Sequence, residues 1–131
     1  RFYQEGFGCT PVPPERDLAG EWLEPATGIT GAHIRGVHLR LPGYDEGGPT
    51  LEIFQYERGP EPDAPASNRP GLGHLAFAVE DVAAARQAVL AAGGGSIGEL
   101  VSLPVPGAGT VTFVYMTDPE GNIIELQSWS G

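Results

Sequence analysis

Residues 71–94, GLGHLAFAVEDVAAARQAVLAAGG, decide the fold. In the run 72–79, small or polar His74, Ala76 and Ala78 alternate with Leu75, Phe77 and Val79. A period of two predicts a strand with one heavily buried face. Asp81 then stands where a helix N-cap belongs. Val82, Ala85, Val89 and Ala92 recur at helical spacing, and Gly93, Gly94 and Gly95 supply the stop.

Downstream, GTVTFVYM (109–116) alternates again, DPEG (118–121) reads as a turn with proline at its second position, and NIIELQSW (122–129) is another strand. The stretch SIGELVSLPVP leaves room for one more, so the order is β-α-β-β-β. PVPGAG (104–109) reads as a lip over an opening or as a plain turn.

The first half repeats this more weakly. RFYQEGFG (1–8) resembles the tail of a helix, EWLEP and HIRGVHLRLPG offer two strands, and TLEIFQYE (50–57) is a third. GYDEGGP (43–49) is a hairpin loop; it lacks the lysine and following helix of a phosphate-binding loop. Superimposing the halves by their final strands puts Glu52 on Glu125. Residues 58–71, rich in Pro, Ala, Ser and Asn, form a linker between a first unit at 1–57 and a second at 72–131. In the second unit a strand and helix start precede the point matched by Arg1; the expectation is that the natural sequence begins further upstream.

The chain has 131 residues, enough for one domain with a core, and is 40% hydrophobic with 20 glycines and 13 prolines. Its net charge is −10, with seven Lys and Arg, which argues against nucleic acid and anionic membranes as partners. One cysteine, Cys9, excludes an intramolecular disulfide and reads as a small buried residue. A cytoplasmic protein is the expectation.

Glu52, His74 and Glu125 each lie within an alternating strand, flanked on both sides by apolar or small residues. Alternation sends all three away from the helix-covered face. If they converge in a cavity, two carboxylates and an imidazole need a cation. A mixed N/O set suits Zn, Mn, Fe, Ni or Co without choosing among them. Singly, a strand glutamate is usually solvated and a strand histidine usually structural; the equivalence of Glu52 and Glu125 in two copies favours the ligand reading.

The opening GHLAFAVEDVAAA and closing TFVYMTDPEGNIIEL of the second unit, with RFYQEGFG and PTLEIFQY in the first, resemble the vicinal oxygen chelate superfamily. That superfamily includes glyoxalase I, extradiol dioxygenases and bleomycin-binding proteins. The resemblance implies an α+β fold of two βαβββ units forming a curled mixed sheet around a cavity, the first unit lacking its opening strand here, and a homodimer. It also implies that first- and fourth-strand positions hold one divalent metal, which carries over to Glu52, His74 and Glu125, with Glu125 or Glu52 as the catalytic base. His38, Phe54, Tyr56, Thr112 and Val114 are the candidate pocket residues for a small-molecule substrate.

Three functions compete. The first is a metal-dependent lyase or isomerase of glyoxalase type, working through a metal-stabilised enediolate. The second is a metal-free protein that sequesters a drug or metabolite. The third is a non-haem iron extradiol dioxygenase, which calls for two histidines and one carboxylate.

Overall fold

The computed structural model describes residues 1–61 and 63–131. Two compact units emerge, one holding most of residues 1–61 and the other most of the remainder. The architecture is α+β, with few helices and two sheets.

The second unit is built as its alternation dictates. Strand β4 (Leu75–Ala78) leads into helix α3 (Val82–Ala91), where the Asp81 carboxylate accepts the backbone N–H of Ala84 at 2.9 Å. Gly94 ends the helix against the sheet: a Cβ there would lie 2.4 Å from the Thr117 carbonyl oxygen, so only glycine fits. Strands β5 (Gly95–Ser96) and β6 (Val101–Val105) follow, and β6 turns directly into β7 (Gly109–Thr117). The segment 104–109 is therefore a plain hairpin turn, closed by the Ala108 N–H on the Val105 carbonyl at 3.0 Å. Strand β8 (Ile123–Ser130) completes a sheet of order β4-β8-β7-β5, with β6 also paired to β7. β4 runs parallel to β8; the other pairs are antiparallel.

The turn between β7 and β8 is held by one carboxylate. Asp118, 4% exposed, accepts the N–H groups of Glu120 at 3.0 Å and Asn122 at 2.8 Å, and the Asn122 side-chain amide at 2.8 Å. This fixes the register Thr117↔Ile123, Tyr115↔Glu125, Phe113↔Gln127. Residues directly opposite share a face. Val114, Met116, Ile124 and Leu126, all fully buried, thus share one face, and α3 lies against these two strands.

The first unit departs from the sequence expectation in two places. TPVPPERDL, not assigned to any element above, is strand β1 (Thr10–Leu18). Three prolines argue against a central strand, but β1 is an edge strand of a three-stranded sheet, and its register shifts between Val12 and Arg16. An edge and a bulge are the two places where a strand tolerates proline. EWLEP, expected as a strand, instead enters helix α2 (Leu23–Thr27). Pro25 sits in its first turn, where no intrahelical N–H is lost. The Thr27 hydroxyl donates to the Leu23 carbonyl at 2.8 Å, and Gly28, at φ 70°, ends the turn. Leu23 is buried with Ala32 and Ile34, and Leu18 and Phe54 pack on that cluster.

Strands β2 (Ile34–Arg40) and β3 (Thr50–Tyr56) pair antiparallel without a register break. Helix α1 (Phe2–Phe7) stands where the sequence places a helix tail, ended by Gly8 at φ 70°. Cys9 is buried, and burial pushes its thiol up from its ordinary value, away from reactivity.

Candidate functional site

His74 lies immediately before β4, on the side shared by Ala76, and Ala76 pairs with Glu125. The parallel seam between β4 and β8 thus brings two residues distant in sequence side by side: His74 Nε2 stands 2.9 Å from the Glu125 carboxylate. The glutamate side chain is 14% exposed and the imidazole 36%, so the pair sits at a boundary between protein and solvent.

Tyr115, directly opposite Glu125, meets the His74 ring edge-on at 5.0 Å between centroids, and Phe113 meets Tyr115 at 5.8 Å. Burial, and then the Glu125 carboxylate, push the Tyr115 phenol above its ordinary value, so it stays a hydrogen-bond donor at neutral pH.

Thr112 and Val114 are placed differently from the sequence expectation. The register puts Val111, Phe113 and Tyr115 on the face of Glu125 and puts Thr112 and Val114 on the opposite one. Val114 is fully buried opposite Leu126, while the Thr112 hydroxyl pairs with that of Ser102 at 2.8 Å. Phe113 and Tyr115 are the residues the sequence reading missed. A signal existed: a turn at 118–121 fixes which β7 residue opposes each β8 residue.

In the first unit, His38 and Glu52 are direct cross-strand partners, with Nε2 3.3 Å from the carboxylate. Phe54 shares their face and lies 5.8 Å from His38, ring to ring, while also packing on the Leu23 cluster. Gly36 makes room for that ring: a Cβ there would lie 2.2 Å from Phe54 Cδ1. Tyr56 stands at the far end of β3 and lines a shallow cavity with His33, Arg35, Gln55 and Glu57.

His33, just ahead of β2, bridges two acids: Nε2 is 2.5 Å from Asp17 and Nδ1 3.4 Å from Glu57. The Asp17 hydrogen bond raises the imidazole above its ordinary value and lowers the aspartate.

The donor chemistry fits a divalent ion, since each unit offers an imidazole nitrogen beside a carboxylate. Among the described residues these donors stand as pairs, and no group of three or more His, Cys, Asp or Glu is arranged so that it could hold a metal ion.

A sequence profile of the Glyoxalase/Bleomycin resistance protein/Dioxygenase superfamily matches residues 1–126, and the chain belongs to that superfamily. Solved structures agree on the fold. A glyoxalase family protein from Bacillus cereus is 19% identical with a TM-score of 0.74, covering 97% of this chain and 85% of its own. A glyoxylase/bleomycin resistance protein/dioxygenase domain from Frankia sp. EAN1pec is 20% identical with a TM-score of 0.60, covering 99% and 85%. The genomically encoded fosfomycin resistance protein FosX from Listeria monocytogenes is 18% identical with a TM-score of 0.54, covering 98% and 78%. Among curated proteins, none matches the sequence significantly. Among the described residues, no helix is long and apolar enough to cross a membrane.

Proposed function

We propose that this chain is a divalent-metal-dependent lyase or isomerase acting on a small oxygenated substrate. The observation that carries the reading is the His74–Glu125 contact of 2.9 Å beside Tyr115. His74 and Glu125 are the ligands that the second unit offers to a divalent ion, Zn, Ni, Co, Mn or Fe, and Glu52, beside His38, is the ligand that the first unit offers. When bound, such an ion supplies the positive charge that acidifies a C–H next to a substrate carbonyl.

The chain's own groups do the rest. Glu125, or Glu52 in its place, takes the proton and returns it to the neighbouring carbon. Tyr115, held protonated, donates a hydrogen bond toward developing charge on substrate oxygen. His38 positions Glu52 through their contact. Phe113 and Val111, on the same face, give the substrate a dry wall. The proposal extends to a cytoplasmic protein and to a homodimer, the latter because the edge strand β6 presents Val101 and Leu103, 45% and 52% exposed.

Metal analysis of protein purified without chelator tests this. The expected result is a stoichiometric ion in the wild type, lost in Glu125→Ala. Solvent deuterium entering the carbon beside the carbonyl of an α-hydroxy ketone reads the reaction, and oxygen uptake with catechols separates off the dioxygenase. Metal-free wild type overturns the reading in favour of a sequestering protein. That second reading has its own support, because Val101, Leu103, Phe113 and Trp129 share the face of Glu125.

A further inference from the structure

The register of the first sheet arranges its side chains in rows across three strands. One row is Val12–His38–Glu52, and the next along the same face is Thr10–Arg40–Thr50. Side chains directly opposite lie about 5 Å apart, and successive rows on one face about 7 Å apart.

Arg40 is partly buried, and its Nε is buried with no hydrogen-bond partner. No carboxylate pairs with it among the described residues, although the chain carries 17 Asp and Glu against seven Lys and Arg. Glu52, in the neighbouring row of the same face, is engaged by His38. On either side stand exposed threonines whose hydroxyls have no partner among the described residues. Arg40, with a threonine directly opposite it on each neighbouring strand, is an unneutralised guanidinium in an acidic protein, and guanidinium and hydroxyl donors are complementary to an oxyanion.

We propose that Thr10, Arg40 and Thr50 form an anion cradle that receives a carboxylate, phosphonate or phosphate group of the substrate, one row from the His38–Glu52 pair. The substrate is then an anionic small molecule whose charged group lies a few bonds from the oxygens being handled. This inference takes the His38–Glu52 row as part of the active site, as proposed above, but its test is read without metal.

Inorganic phosphate and phosphonoacetate are titrated into chelator-treated protein at low salt and followed by phosphorus NMR; pyruvate is followed by saturation transfer. Saturable binding is expected for wild type, at least tenfold weaker in Arg40→Gln and intermediate in Arg40→Lys. Thr50→Val, a surface change that leaves folding intact, weakens it several-fold, and Arg58→Gln leaves it unchanged. Preference for the phosphorus ligands or for pyruvate tells which oxyanion the cradle takes. No saturation in wild type, or binding that survives both Arg40→Gln and Thr50→Val, overturns the proposal. Loss of metal binding with phosphate binding intact would instead sink only the metal reading.

Discussion

Replacing Asp118 is the sharpest test of how the second unit holds its site. The carboxylate accepts three hydrogen bonds within the β7–β8 turn while 4% exposed. Hydrogen bonds to a charged acceptor contribute about 1.5–3 kcal/mol each. Glu120 and Asn122 are exposed, however, and water recovers part of that when the acceptor is deleted. Asp118→Ala is therefore expected to cost about 3 kcal/mol.

With a urea slope of about 1.5–2 kcal/mol per molar for a domain of this size, the midpoint falls by roughly 1.5–2 M. Asp118→Asn keeps an acceptor for both backbone donors but sets one amide against another, and should cost about 1 kcal/mol. Adding Asn122→Asp exchanges donor and acceptor and restores most of that loss, a coupling a double-mutant cycle isolates. The assay is equilibrium urea unfolding followed by circular dichroism. A midpoint change below about 0.5 M in Asp118→Ala, or no recovery in the exchanged pair, refutes the reasoning.

Val114→Ala should destabilise by about 2 kcal/mol through a cavity in the helix-covered face, whereas Phe113→Ala should chiefly weaken ligand binding; unfolding midpoints and ligand titrations separate the two. Gly36→Ala forces a Cβ to within 2.2 Å of Phe54 and 2.4 Å of the Ile53 carbonyl oxygen, and should cost about 2 kcal/mol in urea unfolding. His33, raised from 6.5 by its Asp17 hydrogen bond, stabilises fully below that value, and the gain is lost as pH rises through the raised one. Asp17, lowered from 3.8, gives stability present above that value and lost as pH falls through the lowered one. The pair therefore contributes most between 3.8 and 6.5; thermal melts across pH should show a decline above the window that His33→Asn abolishes.

The second unit was legible because its signals are local and agree: alternation at 75–78, the Asp81 cap, the glycine stop and the DPEG turn. The first unit was harder because its signals conflict. Prolines in β1 mask a strand that only its edge position permits, and EWLEP carries too few apolar residues to tell a strand from one helical turn. At the site, alternation gave the faces of His74 and Glu125 correctly. It could not show that a parallel seam sets them in contact, since strand pairing is non-local. Nor did it pair Glu52 with His38, whose register depends on the length of the intervening loop.

That β4–β8 seam joins the first and last strands of the second unit, four residues against four, across all the chain between them. Closing so long a loop is entropically the steepest step in assembling the unit. An ion clamped by His74 and Glu125 would act as a rivet across this joint, raising the unit's resistance to opening in proportion to the logarithm of its concentration.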